Sequence, residues 1–76
     1  MKLTKGEYCQ FSLKSRLALL KEFGVLVTER YVNDQLVRIF KIYDFYVEVL
    51  YDLLNKSFLK AEPVYSTNLV EYYLTE

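Results

Sequence analysis

With no histidine and a single cysteine, this chain has few side chains able to do covalent chemistry, and the candidates reduce to Glu48 and Cys9. Histidine is the group whose ordinary pKa suits proton transfer near neutrality; without it, a Ser or Cys nucleophile needs another base. Glu48 stands between Val47 and Val49. A carboxylate buried in such a setting has a raised pKa and can act as an acid or base. On the solvated face of a strand it would pair with a neighbour instead, and Lys41 is the neighbour that strand spacing offers. No second carboxylate has a predictable place beside it. Cys9 lies between Tyr8 and Phe11, where a cysteine behaves as a small hydrophobe. We expect no catalytic residue and no enzyme activity.

The same inventory argues against metals and cofactors. A lone Cys, no His and scattered carboxylates give none of the spacings of zinc, iron or EF-hand calcium sites. The only glycines, Gly6 and Gly24, are eighteen residues apart and cannot build a phosphate-cradling loop. Nucleic-acid binding has one argument for it, because Tyr46, Lys41, Tyr43 and Arg38 could form an aromatic, basic platform on a sheet. Against it, the pI is about 6.3 and no basic stripe runs along the chain.

Charge and aromatic content favour contact with protein. Residues 1–38 carry seven Lys/Arg against four Asp/Glu and residues 39–76 carry three against six, a balance of +3 against −3 that cancels overall. The sign change along the chain is ordinary surface decoration or a basis for pairing opposite patches, and zero net charge removes one brake on self-association. Eight Tyr and five Phe are more than a small sheet with short helices readily buries. Tyrosine suits interfaces, where its ring is covered while its hydroxyl stays paired. The alternative is a monomer whose tyrosines ring the core with hydroxyls in water. The expected function is a non-enzymatic interaction module that self-associates, as a dimer for instance, or binds another protein, with Lys41, Tyr43, Tyr46, Glu48 and Leu50 as the candidate surface. A binder of a small apolar or aromatic ligand between helix and sheet is the second reading, and a single-stranded nucleic-acid platform the third.

These residues need a fold to hold them. At 76 residues, 53% apolar and 17% aromatic, the chain is rich enough for one packed core and too short for two. A single α+β domain over residues 1–76 is expected. Cys9 alone can form no intramolecular disulfide, which fits a reducing, cytoplasmic setting. The charged start at Lys2 and Lys5 leads into no apolar leader, and five charges between Leu36 and Leu54 argue against a membrane span.

Thr4-Lys5-Gly6-Glu7 has capping-box spacing, and Ser12 is an N-cap for a longer helix with Leu13, Leu17 and Leu20 on one face. We expect helix over 5–9 and 13–23, ended by Gly24 as a left-handed cap. Val25–Val32 is β-branched and aromatic and reads as a strand, with a turn at Asn33-Asp34. Between Leu36 and Leu54 the polar positions 38, 41, 44, 48 and 52 recur every three or four residues, which on its own suggests a helix. The density of Val, Ile, Phe and Tyr argues otherwise, and such a helix would be apolar around most of its circumference. Two strands over 35–42 and 45–51 are therefore expected, with Tyr43-Asp44 as the turn. A two-residue turn sets Ile42 opposite Phe45, Phe40 opposite Val47, Arg38 opposite Val49 and Leu36 opposite Tyr51. One face is then core and the other mixed. A fourth strand over 57–62, with Phe58, Lys60 and Glu62 alternating against Ser57, Leu59 and Ala61, ends at Pro63. Ser66-Thr67-Asn68 would cap a short C-terminal helix over Leu69–Leu74, whose Leu69, Tyr72 and Tyr73 could dock on the sheet.

Taken together, the helix and glycine of Leu17–Gly24, the run Phe45-Tyr46-Val47-Glu48-Val49 and the late Tyr73-Leu74 resemble a family of short uncharacterised bacterial proteins. Its members share the order helix, Gly, strand, then a Phe-Tyr-Val-Glu-Val signature and a Tyr-Leu near the C-terminus. The resemblance spans nearly the whole chain and departs where members often carry a Trp before the Gly. It implies the helix and meander arrangement and no particular activity.

Overall fold

Two N-terminal caps set the helical start of the chain. In the computed structural model, which describes residues 2–64, the Glu7 N–H donates to Thr4 Oγ1 at 3.1 Å and the Thr4 N–H donates to Glu7 Oε1 at 2.9 Å. This reciprocal pair supports α1, Lys5–Tyr8, despite Gly6 within it. Ser12 accepts from the Ser15 N–H at 3.2 Å and opens α2, Leu13–Phe23.

Gly24 ends α2, but not as the expected left-handed cap. Its backbone is extended, φ −86 and ψ 158, a conformation open to any residue. What demands glycine is space: its N–H donates to Leu20 O at 2.8 Å, and a Cβ built there would lie 2.7 Å from that oxygen. The chain therefore runs from helix to strand without a loop.

Four strands follow: β1 Val25–Val32, β2 Gln35–Ile42, β3 Phe45–Asp52 and β4 Ser57–Pro63. They form an antiparallel meander in the order β1-β2-β3-β4. The turns at Asn33-Asp34 and Tyr43-Asp44 each place their first residue in the left-handed region, φ 55 and φ 57, as tight hairpins with native twist require. Asn tolerates that geometry; Tyr43 does so because its ring is held against Phe23 and Phe45, with centroids 6.0 and 6.3 Å away. The β2–β3 register is the one counted from the turn, from Ile42↔Phe45 through Leu36↔Tyr51.

That register commits one face to the helices. Tyr8 and Leu20 pack there with Ile42, Phe45, Val47, Val49 and Ala61, flanked by Leu13, Leu17 and Phe40. The opposite face carries the mixed set expected, Val37, Ile39, Lys41, Tyr46, Glu48 and Leu50, but part of it is buried. Val37 and Ile39 are 4% and 0% exposed, and Ile39 packs with Val64, Val27 and Tyr46. Val64 is drawn in by its N–H, which donates to Tyr46 O at 2.8 Å just beyond the end of β4. The helix expected over Leu69–Leu74 falls outside the described residues.

Strand β4 departs from simple alternation. A shift between Leu50 and Tyr51 pairs Tyr51 with Phe58, while Val49 pairs with Ala61. The extra residue, Leu59, puts Phe58 and Ala61 on the same helix-bearing face, where strict alternation had separated them. Tyr51 and Phe58 then meet edge to face at 4.8 Å. Pro63 is the last residue of this edge strand, where its missing N–H costs no ladder bond.

Arg16 joins the parts. Its Nε donates to Phe11 O at 2.9 Å, Nη2 to Cys9 O at 2.6 Å and Nη1 to Ala61 O at 3.3 Å. One side chain thus satisfies carbonyls at the end of α1 and ties both helices to β4.

Candidate functional site

A single eleven-residue helix cannot cover strands of eight residues. At 1.5 Å per helical residue and 3.3 Å per strand residue, α2 is about 16 Å long and the strands about 26 Å. The uncovered part of the helix-bearing face is a groove of about 470 Å³ between α2 and the sheet, lined by Leu17, Ala18, Leu20, Lys21, Arg38, Phe40, Val49 and Phe58. It runs into a second hollow of about 310 Å³ that shares Arg38, Val49 and Phe58 and adds Leu36 and Tyr51. The lining is almost wholly apolar, with two cations at its margin.

Those cations differ in their bonding. Arg38 Nε donates to Glu29 Oε2 at 2.8 Å, a cross-strand pair whose two side chains are both partly in water, so its contribution to stability is small. Among the described residues the two terminal nitrogens of Arg38 and the ammonium of Lys21 meet no acceptor, and all three are available to an acidic group.

The groove opens toward the end of the sheet that holds the β1–β2 and β3–β4 turns. The second turn is tightly built. The Asp52 carboxylate accepts from the Leu54 N–H at 3.0 Å, the Asn55 N–H at 3.3 Å and Asn55 Nδ2 at 2.7 Å. These bonds, the Asn55 side chain foremost, hold the Asp52 carboxyl below the usual carboxylate range. The Leu53 N–H donates to Asp34 O at 2.9 Å, and Lys56 completes the turn at φ 53. The result is a braced loop that projects its leucines: Leu54 is 73% exposed. Tyr31 and Phe58 on the helix-bearing face, Val32 on the opposite one, and Leu53 and Leu59 beside the turn are exposed at the same end, and exposed apolar side chains gathered in one region mark contact sites.

The surface expected from sequence is arranged differently. Lys41, Tyr46, Glu48 and Leu50 share the face opposite the helices, Lys41 exposed and the other three half-buried. Tyr43 is not with them; it turns toward α2 and stacks on Phe23. Glu48 pairs with Lys60, Nζ to Oε1 at 3.2 Å, and not with Lys41, and its direct cross-strand partner is a second carboxylate, Glu62, which strand counting had not placed beside it. Both lysines are diagonal to Glu48, one in each neighbouring strand. Lys60 is half-buried beside the carboxylate, whereas Lys41 projects into solvent. The basic aromatic platform is also divided, because Arg38 faces the helices while Lys41 and Tyr46 face away. Among the described residues no three His, Cys, Asp or Glu stand together as metal ligands, and no helix is long and apolar enough to cross a membrane.

The residues Asp52-Leu53-Leu54-Asn55-Lys56 are read as a loop from sequence, and the turn lies there; sequence reasoning missed the exposure of its leucines and the face of Phe58. Asp52-Leu53-Leu54-Asn55 reads as a polar-capped loop, and the useful signal was two leucines placed where a loop needs none.

Fold and surface define an α+β domain in which short N-terminal helices partly cover a four-stranded antiparallel meander. Comparison with protein-family models, with curated proteins and with solved structures finds no match to the chain.

Proposed function

We propose that this protein is a small non-enzymatic interaction module that associates with another protein chain, a second copy included, through the apolar end of its sheet. The observation that carries this reading is the exposure of Tyr31, Leu53, Leu54, Phe58 and Leu59 together at that end, beside the open groove. Exposed aromatic and aliphatic side chains around a concavity are what contact interfaces bury. Cys9, which forms no disulfide, suits a reducing cytoplasmic setting.

The test joins light scattering over a wide concentration range with a photo-crosslinking residue at position 54 in cells producing the protein. Assembly in solution, or one discrete crosslinked product that the combined substitution Tyr31→Ser and Phe58→Ser, with the crosslinking residue kept at position 54, abolishes, supports the module. A 9.1 kDa species at every concentration together with no crosslinked product refutes it.

A second reading is favoured by the groove itself, whose 470 Å³ lies within the range of pockets for small ligands. The occupant would be a small apolar or aromatic molecule seated between α2 and the sheet. An apolar aromatic dye that gains no fluorescence with the protein, or gains it equally with Leu17→Glu, removes this reading.

A further inference from the structure

We infer that the groove receives a second copy of this chain, with the Leu53–Leu54 turn of each protomer inserted between α2 and the sheet of the other. The inference rests on the self-association reading above and adds the surfaces that meet. Three observations carry it.

The first is the build of the turn. Four hydrogen bonds to Asp52 and Asp34 oxygens hold the loop in one conformation, yet Leu54 is left 73% exposed. Order of this kind lowers the entropy lost on binding.

The second is charge. Asp34 and Asp52 flank the base of the turn, with Lys56 on its far side, while Lys21 and Arg38, the latter paired with Glu29, edge the groove and leave it one positive charge in excess. An apolar, net acidic projection is thus complementary to an apolar, basic hollow.

The third is placement. Turn and groove lie side by side at one end of the sheet, through the pairs Tyr31↔Leu36, Leu36↔Tyr51 and Tyr51↔Phe58. A projection next to its own complementary hollow permits a two-fold contact in which each copy gives and receives, so the assembly closes as a dimer.

The deciding experiment is light scattering and sedimentation of the full chain at several concentrations and two ionic strengths, on wild type, Leu54→Ser, Asp34→Lys and Lys21→Glu. All three positions are exposed and the Asp34 bond in the turn uses its backbone oxygen, so each variant keeps the fold; its melting temperature when dilute checks this. The expected result is a species of twice 9.1 kDa that Leu54→Ser weakens about tenfold or more. Each charge reversal alone should also weaken it, and mixing Asp34→Lys with Lys21→Glu should restore dimers, because both inserted turns then meet an opposite charge. A dimer indifferent to Leu54→Ser and to both reversals overturns the inference while self-association stands. A monomer under all conditions overturns it too, and leaves the groove to a different partner or to a small ligand, which the position-54 crosslink and the dye distinguish.

Discussion

The Arg16 guanidinium lies over the Tyr8 ring, 5.6 Å from its centroid, while the Tyr8 hydroxyl donates back to Arg16 O at 3.4 Å. Tyr8 is fully buried and meets Phe45 edge to face at 5.7 Å. This pair seats the four-residue α1, too short to be stable alone, on the sheet.

Arg16→Lys tests that brace. Lysine keeps the charge but loses the planar fork that reaches Cys9, Phe11 and Ala61 oxygens together. We expect a loss of about 1–3 kcal/mol in urea unfolding, and disproportionate exchange of α1 amides. A change of a few tenths would show that the carbonyls find water instead.

Burial raises the Tyr8 hydroxyl pKa above its ordinary value, against a smaller lowering by Arg16. A raised folded pKa favours the protonated form in the native state. The stability it provides is complete below the unfolded pKa of about 10 and falls as pH rises beyond it. Unfolding measured from neutrality to high pH should therefore show a decline that Tyr8→Phe makes shallower. Parallel curves for the two proteins would mean that the hydroxyl gains water freely.

Gly24→Ala separates steric demand from backbone freedom. The φ of −86 suits alanine, but the new Cβ would lie 2.7 Å from Leu20 O. A cost of about 1–3 kcal/mol is expected, as for other overpacked sites; a stabilised variant would show that the helix end relaxes at no cost.

The Tyr43 hydroxyl is buried and has no hydrogen-bond partner among the described residues. Tyr43→Phe keeps the stack on Phe23 and removes an unsatisfied group, so thermal unfolding should be unchanged or raised by the equivalent of up to about 1 kcal/mol. A lowered midpoint would reveal a bond that the hydroxyl makes in solution.

Much of the fold was legible because its determinants are local. Thr4 and Glu7 cap α1 through residues three apart, Ser12 caps α2, and a two-residue turn at Tyr43-Asp44 leaves a single register for β2 and β3. The surface was less legible. Glu48 has a lysine on each diagonal, and nothing within the strand says that Lys60 in β4 will reach it first. Phe58 changes face through one bulge residue, which period-two counting cannot anticipate.

The sequence by itself determined the element order, the turns, the sheet register at its centre and the absence of a histidine or metal-ligand pattern, since each depends on residues near one another in the chain. Only the tertiary structure decided that Val37 and Ile39 are buried, that Arg16 links α1 to β4, and that the helix-bearing face stays open at one end. Those outcomes depend on how far an eleven-residue helix reaches across eight-residue strands and on which distant side chains meet. Such relations exist only once the chain has folded, because they join residues that sequence spacing keeps apart.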